Sequence, residues 1–577
     1  MIRLQDGPKE MSQASKSEPI QVITDFEEFI QLVDYSLMNN LNADPESSMD
    51  GDDHSPRQVR SGHFVTVTTQ PIENPTYVIH SRTLFKELGL GEQLAVNEDF
   101  QKLFSGDISV SRKPMRPFGW ATGYALSIYG TEYNQQCPFG NGNGYGDGRA
   151  ISVFEGIFKG NRWEMQLKGA GPTPYCRGAD GRAVLRSSVR EFLAQELMQA
   201  LGVPTTRSLS LYVSKSETVR RPWYSENSIS TEPDILVEDP VAISTRVASS
   251  FLRVGQLELF ARRARKTNNP EQLEELRLII SHLIEREYRN EIDPDLEFEM
   301  QLIRLAQLYQ ERLSSLMADW LRIGFCQGNF NSDNCAAGGF TIDYGPFGFC
   351  ENFDPHYQPW IGGGEHFSYF NQPLAAEANY QMFWKAIRLI LIDNTLALEQ
   401  LDKVFYDFKK KTTTMTQNMW ASKLGLDEYN HQLFMRLVDL MMSTTVDFTI
   451  FFRELSYLPH DLSTLRKSFY DKIPQQLEVE WQDWIQDWHD QLNPNNDHAE
   501  ISRRMKLVNP KYIWREWLIA PAYEQAKLGN FALIKELQEV FSDPYNEQSQ
   551  EIEAKYYRLK PEKYFHFGGI SFYSCSS

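Results

Sequence analysis

Residues 150–171 read AISVFEGIFKGNRWEMQLKGAG, and residues 187–202 read SSVREFLAQELMQALG. The first stretch alternates in hydropathy on both sides of a Lys-Gly-Asn turn, which predicts a β-hairpin. Its second strand would turn apolar residues to one face of the sheet and polar residues to the other: Trp163, Met165 and Leu167 against Glu164, Gln166 and Lys168. The second stretch has apolar residues at helical spacing and ends at Gly202, which predicts a helix.

Outward from this hairpin, the chain divides into three parts. Residues 1–60 are polar and acidic, and we expect an N-terminal extension that is partly disordered. Residues 61–255 contain the hairpin and would form a smaller lobe rich in strands. Residues 256–577 show helical periodicity, interrupted by a loop segment at 325–355, and would form a larger helical lobe with a C-terminal extension. The sequence therefore predicts an α+β protein with two lobes around a cleft.

The composition of the 577-residue chain restricts its partners. Hydrophobic residues make up 41 % and charged residues 23 %, which excludes a fibrous or wholly disordered chain. A formal net charge of −19 disfavours nucleic acid and anionic lipid as partners, so a phosphate-bearing ligand would need a local cluster of cations. The sequence contains no run of about 18 or more apolar residues, so it predicts no transmembrane helix.

The six cysteines show no spacing typical of a zinc site, and a secreted disulfide scaffold would carry many more. The first residues contain neither an apolar signal core nor an Arg-rich transit pattern. We therefore expect a reduced, cytoplasmic protein. We also expect that it has no membrane partner and that it is a monomer.

Three features of the sequence could bind a nucleoside triphosphate. The loop GNGNGYGDG at 140–148 would let backbone N–H groups approach phosphate, but it matches neither GxGxxG nor GxxxxGK[ST] and is equally consistent with a surface loop. Lys168 ends a strand on its polar face, where a lysine either lies in solvent or holds phosphate. Glu191 either pairs with that lysine, as in kinase-like folds, or closes a capping box with Ser188.

The loop segment 325–355 carries the candidate metal ligands. Asp333 and Asn334 lie in NSDN, and Asp343 begins DYG ten residues after Asp333. A loop, strand and loop of that length can bring the second carboxylate back beside the first site. An amide oxygen and a carboxylate suit Mg²⁺ or Mn²⁺, although ordinary turn chemistry explains the same residues.

Two arginines and a short turn complete the candidate set. Arg246 and Arg253 are seven residues apart in RVASSFLR, a spacing that would put both on one face of a helix and allow them to grip phosphate. Solvated rim charges at this spacing are the alternative. Asp180 and Gly181, in GADGRAVLR, are typical of a turn.

Taken together, seven segments closely resemble the selenoprotein-O family of kinase-like protein adenylyltransferases. The resemblance runs from about residue 60 to the end of the chain, and LKGAGPTPY followed by IDYGPFGF is its most specific part. The segments are GDGRA (146–150), LKGAGPTPYCRGADGRAVLRSSVREFL (167–193), GVPTTRSLSL (202–211), RVASSFLRVG (246–255), NSDN with TIDYGPFGF (331–349), VNPKYIWREWLIAPAYEQAKLGNF (508–531) and SCSS (574–577).

This resemblance implies a protein-kinase-like fold and an activity. AMP, rather than the γ-phosphoryl group, would pass from ATP to Ser, Thr or Tyr hydroxyls of a protein substrate, with Mg²⁺ or Mn²⁺ as cofactor. The residues in contact with the nucleotide would be Gly146, Gly148, Arg149, Asp180 and Gly181.

The resemblance also implies roles in phosphate binding and catalysis. The phosphates would be held by Lys168, Arg246 and Arg253, and Glu191 would pair with Lys168. Asp333 would accept the proton of the attacking hydroxyl. Asn334 and Asp343 would bind the metal, so that Asp343 also contacts the nucleotide through it.

Two positions differ from the pattern of the family. Family members often carry His where Gln327 stands, which affects only a supporting residue. Some members link a cysteine after the DYG segment to a C-terminal cysteine. Cys575 is in place here, but the cysteine after DYG is Cys350, which lies nearer that motif than in the family; a Cys350–Cys575 bond would be the corresponding link.

Two other activities remain open on the sequence alone. A protein kinase would transfer the γ-phosphoryl group, and an inactive scaffold would bind nucleotide without transfer. The retained Lys168, Glu191, Asp333, Asn334 and Asp343 argue against the scaffold, because nucleotide binding alone does not need the full set.

Overall fold

The structure of the chain is a computed structural model that describes residues 22–572 apart from 49, 53, 56–58, 123–136, 141–147, 177–178, 268, 494 and 496. Within these residues the strands are β1 (Phe64–Val67), β2 (Pro75–His80), β3 (Gly119–Thr122), β4 (Ala150–Phe158), β5 (Asn161–Lys168), β6 (Ala183–Val184), β7 (Arg207–Trp223), β8 (Ile235–Ala248), β9 (Phe325–Gln327) and β10 (Phe347–Phe349).

The helices of the described residues fall in two groups. Those that precede β9 are α1 (Phe26–Ile30), α2 (Ser36–Asn40), α3 (Arg82–Leu88), α4 (Glu98–Phe104), α5 (Leu185–Ala200), α6 (Val254–Thr267), α7 (Pro270–Leu283) and α8 (Phe298–Ile323). Those that follow β10 are α9 (Gln372–Ile390), α10 (Thr395–Tyr406), α11 (Phe408–Lys423), α12 (His431–Ser443), α13 (Phe448–Leu455), α14 (Leu462–Leu465), α15 (Gln475–Gln491), α16 (His498–Val508), α17 (Glu516–Lys527), α18 (Ala532–Ser542) and α19 (Gln550–Tyr556). None of the helices described combines the length and apolarity that crossing a bilayer requires.

One large antiparallel sheet organises the N-terminal half. Its strands lie in the order β1-β3-β4-β5-β8-β7-β2, and β6 pairs with β8 beside this path. A separate two-stranded ladder joins β9 to β10, with Phe347 opposite Gln327. The fold is thus mixed α and β, with an antiparallel sheet and many helices, and the predicted fold class is confirmed at that level.

The predicted hairpin is present as β4 and β5. Lys159 and Gly160 form its two-residue turn with φ of 48° and 81°, values that favour tight hairpin turns. Met165 and Leu167 are buried against α1 and α4 on one face of the sheet. The polar residues of the opposite face are buried as well, and Lys168 is only 5 % exposed. A solvated position for Lys168 is therefore wrong.

The predicted helix is present as α5, and Gly202 follows it with φ of 75°. The helix begins at Leu185 because β6 pairs with β8 and leads directly into the first turn. Ser188 lies inside the helix rather than at its N-cap. The capping-box explanation of Glu191 is therefore wrong, and the carboxylate is available for another partner.

Helices cover both faces of the sheet and fix the position of its polar residues. On one face, α3 and α4 bury Phe85 and Phe100 against the strands. On the other face, α5 packs on β7 and β8 through Val189 and Leu193, and α18 packs on the outside of α5. The polar face of β5 therefore meets α5, and farther along it meets the residues that precede α6.

Candidate active site

Three elements bring an ammonium group and two carboxylates together. Lys168, at the end of β5, contacts Glu191 Oε1 of α5 through its Nζ. The same Nζ lies 3.7 Å from Oδ1 of Asp343, in the loop that leads to β10. Glu191 is 4 % and Asp343 is 8 % exposed. Residues that are 175 positions apart in the chain, Lys168 and Asp343, thus share one buried site.

Burial has the largest effect on the pKa of the Glu191 carboxyl. Removal from water raises the pKa of its carboxyl above the ordinary value, and the positive charges of Lys168 and Arg246 oppose that shift. Its second oxygen, Oε2, has no hydrogen-bond partner among the described residues. Glu191 therefore depends on Lys168 to stay ionised, and it holds that lysine in place.

Arg246 and Arg253 enter the site from two different elements. Arg246 lies on β8 and places Nη1 3.3 Å from Oδ1 of Asp343. Arg253 lies just before α6, pairs with Ala336 in an isolated bridge, and donates through Nη1 to the backbone oxygen of Asp333. The prediction that both share one helix face is wrong, because β8 continues to Ala248 and pairs Arg246 with Gln166 of β5.

The predicted metal ligands lie in the connection between β9 and β10, at the end of the ladder where Gln327 pairs with Phe347. Asp333 and Asn334 form a short helical turn, in which Asp333 is buried and Asn334 is half-buried. Asn334 donates through Nδ2 to the backbone oxygen of Asn329 at 2.8 Å, so Oδ1 is the side-chain atom that could hold a metal. Asp343 Oδ2 accepts from the backbone N–H of Gly345 at 3.0 Å.

This donor set fits a divalent metal that arrives with phosphate. The described residues hold no group of three or more His, Cys, Asp or Glu side chains able to bind a metal alone. One carboxylate and one amide oxygen leave positions for phosphate oxygens and water, as Mg²⁺ and Mn²⁺ sites in nucleotide enzymes do. Asn334 and Asp343 are the residues that would hold it.

The turn at Asp180 and Gly181 packs on the loop that follows Lys168. Gly181 has φ of 70°, and a Cβ there would lie 2.1 Å from the backbone carbon of Gly171. Burial acts to raise the pKa of Asp180, but hydrogen bonds from Arg221 and from the backbone N–H of Arg182 hold it below its ordinary value. Among the described residues, no hydrogen bond or ion pair joins Asp180 or Gly181 to Lys168.

The remaining predicted nucleotide contacts lie where β4 begins. Gly148 and Arg149 precede that strand, and Gly146 lies outside the described residues. A Cβ on Gly148 would lie 2.4 Å from the backbone oxygen of Tyr175, so the glycine allows the two loops to approach. Cys575 also lies outside the described residues, whereas Cys350 is a buried free thiol whose pKa burial raises.

Substitution of Gly181 by alanine should destabilise the fold more than the same change at Gly160. Both glycines have positive φ, but a Cβ at Gly160 meets nothing within 4 Å. We expect about 1 kcal/mol for Gly160→Ala from backbone strain alone and about 3 kcal/mol for Gly181→Ala, where overpacking is added. Urea unfolding of both variants measures the difference, and equal losses would contradict the close approach.

Two further residues, Arg190 and Gln327, support the site. Arg190 stands next to Glu191 on α5 and donates to the backbone oxygens of Gly345 at 2.9 Å and Phe347 at 2.5 Å. Gln327 donates through Nε2 to the backbone oxygen of Asp343 at 2.8 Å. Both hold the loop around Asp343. The sequence marks Gln327 only as a departure from the family pattern, and no pattern marks Arg190, because it binds backbone atoms.

Comparison with known proteins supports a family assignment. Residues 52–542 match the family model described as "Protein adenylyltransferase SelO". The protein nucleotidyltransferase YdiU of Tolumonas auensis is 34 % identical over 538 residues, covering 91 % of this chain and 96 % of the relative. YdiU of Azoarcus sp. is 34 % identical over 560 residues, with 94 % and 99 % covered, and YdiU of Rhodopirellula baltica is 32 % identical over 552 residues, with 90 % and 95 % covered. The family match and these identities agree with the sequence motifs, and the chain belongs to the SelO family of protein adenylyltransferases.

Proposed function

We propose that the chain transfers AMP from ATP to a Ser, Thr or Tyr hydroxyl of a protein substrate. Family membership supports the enzyme class and ATP as co-substrate. The observation that carries the proposal for this site is the position of Lys168, whose Nζ lies between the carboxylates of Glu191 and Asp343. An adenylyltransferase needs such a cation beside a hard-oxygen site, because it must neutralise a triphosphate.

The proposal includes a protein-kinase-like arrangement of two lobes. Residues 61–255 would form the nucleotide-binding N-lobe and residues 256–577 the helical C-lobe, preceded by an extension at 1–60. The pairing of a strand lysine with a helix glutamate supports this arrangement, since kinase-like folds fix their phosphate-binding lysine in that way.

In the proposed reaction, the hydroxyl oxygen of the substrate attacks the α-phosphorus of ATP. A new P–O bond forms, the bond to the β-phosphate oxygen breaks, and pyrophosphate leaves. Asp333 takes the proton of the hydroxyl. Lys168, Arg246 and Arg253 supply positive charge to the triphosphate, which a chain of net charge −19 would otherwise repel. A Mg²⁺ or Mn²⁺ ion at Asn334 and Asp343 would neutralise further phosphate charge.

Labelled ATP distinguishes this reaction from its alternatives. With Mg²⁺ or Mn²⁺ present, we expect α-³²P-ATP to label acceptor proteins and γ-³²P-ATP to leave them unlabelled. Mass spectrometry should find an increase of about 329 Da on the acceptor rather than about 80 Da, the value for phosphoryl transfer. Removal of the metal by EDTA should abolish labelling.

Label from the γ-position alone would instead assign a protein kinase. If neither label transferred while ATP still raised the melting temperature, the chain would be a nucleotide-binding scaffold. The set of charged residues around Lys168 and Asp343 favours the transferase over the scaffold, and the family match favours it over the kinase.

The proposed setting is the cytoplasm, with the chain acting as a monomer. Five cysteines of the described residues are free and buried, which supports a reducing compartment: Cys137, Cys176, Cys326, Cys335 and Cys350. Gel filtration with light scattering tests the monomer.

A further inference from the structure

A row of hydrogen-bonded side chains crosses the polar face of the sheet and ends at Arg246. Ser152 on β4 lies directly opposite Gln166 on β5, and Gln166 lies directly opposite Arg246 on β8. All three side chains are fully buried, with exposures of 1 % or less. Side chains at these register positions face the same side of the sheet, so their contacts follow from strand pairing.

The donors and acceptors of this row fix which way the amide of Gln166 faces. Ser152 donates its hydroxyl hydrogen to Glu164 Oε1 at 2.6 Å, so its oxygen is left to accept from Gln166 Nε2 at 3.2 Å. The amide oxygen of Gln166 then faces Arg246 and accepts from Nη2 at 2.5 Å. Glu164 is itself held by Arg286, whose Nη2 lies 3.5 Å from Oε2. A flipped amide would set its NH₂ group against the guanidinium, so the row fixes the orientation of Gln166.

We propose that Gln166 is a positioning residue for ATP, acting through Arg246. The inference rests on the proposed function, in which Arg246 holds the triphosphate. A guanidinium is a rigid planar fork, so a hydrogen bond at Nη2 sets the direction of its other N–H groups. Arg246 Nη1 lies only 3.3 Å from Asp343 Oδ1. Without Gln166, the guanidinium loses the acceptor that directs Nη2, and its N–H groups can shift towards that carboxylate and away from phosphate.

The neutral amide of Gln166 is better suited to orient the Arg246 guanidinium than a carboxylate would be. Glu191 and Asp343 already place two negative charges around Lys168. A glutamate at position 166 would also accept from Arg246, but it would cancel the charge that phosphate binding needs. Glutamine orients the guanidinium and leaves its charge for the ligand.

The test compares ligands with and without phosphate. Dissociation constants are measured for ATP with Mg²⁺ by calorimetry and for adenosine by ligand-observed NMR. For Gln166→Leu we expect ATP to bind about tenfold more weakly, since a hydrogen bond to a charged group is lost, and adenosine to bind as in the unmodified protein. Ser152→Ala, which removes only the hydroxyl, should shift ATP binding in the same direction by a smaller factor.

Gln310→Leu is the matched control. Gln310 is a buried glutamine on α8 whose amide donates to the backbone oxygen of Val404 at 2.5 Å, and it has no part in this row. Both ligands should bind to this variant with unchanged affinity.

Three results would overturn the inference. Unchanged ATP binding by Gln166→Leu would show that Arg246 needs no support, and an equal loss for ATP and adenosine would indicate a general structural role. If Gln166→Leu does not fold, Ser152→Ala decides by the same comparison. Failure of the unmodified protein to bind ATP would instead overturn the proposed function itself, and the role of Gln166 with it.

Discussion

Replacement of Asp343 by asparagine should lower AMP transfer about 1000-fold, the scale of losing a main electrostatic contribution to a transition state. Its Oδ1 lies 3.7 Å from Lys168 Nζ and 3.3 Å from Arg246 Nη1, so one carboxylate organises both cations. It is also the only carboxylate of the proposed Asn334–Asp343 metal pair. Asparagine keeps an oxygen for the backbone N–H of Gly345 but removes the charge. Transfer is measured from α-³²P-ATP into an acceptor protein.

Asp239→Asn controls for the loss of a buried acid. Asp239 is 7 % exposed, close to the 8 % of Asp343, and it pairs with Lys527 at 3.3 Å. It lies seven residues before Arg246 on β8, roughly 20 Å away along the strand. Transfer by this variant should stay within about twofold of the unmodified protein. The assignment of Asp343 is wrong if its asparagine variant folds, binds ATP and retains more than about a tenth of the activity.

The hairpin and α5 were predictable because their local patterns agree with their environment. Alternation over 150–171 and the helical spacing over 187–202 describe elements whose apolar residues pack where the pattern puts them. The identity of Lys168, Glu191 and Asp343 as candidates came from residue type and from the family resemblance. Their contact depends on the sheet order and on the β9–β10 ladder, which local periodicity does not encode.

The errors arose where tertiary pairing overrides a local pattern. A seven-residue spacing favours one helix face for Arg246 and Arg253, yet pairing with β5 keeps Arg246 in a strand. The Ser188–Glu191 spacing is that of a capping box, yet β6 moves the start of the helix to Leu185. In both cases a strand partner distant in sequence decided the conformation.

Changing Lys168 and Glu191 together should cost no more activity than changing Lys168 alone. We expect kcat/KM for AMP transfer to fall about 1000-fold for Lys168→Met and about 100-fold for Glu191→Gln. The kcat/KM of the double variant should equal that of Lys168→Met, because we expect Glu191 to affect the reaction only by holding the Lys168 ammonium in place. The product of the two single losses would be about 10⁵-fold, a difference that is easily measured.

The burial of Glu191 is a second reason to expect that the double variant loses no more activity than Lys168→Met. Burial raises the pKa of its carboxyl, and the Lys168 ammonium is the main charge opposing that rise. A carboxyl with a raised pKa takes up a proton at higher pH, so loss of Lys168 drives Glu191 towards its neutral form. Glu191→Gln then replaces one neutral group by another. Losses that multiply in the double variant, with the thermal unfolding of all three variants otherwise comparable, would show that Glu191 acts on the nucleotide independently of Lys168.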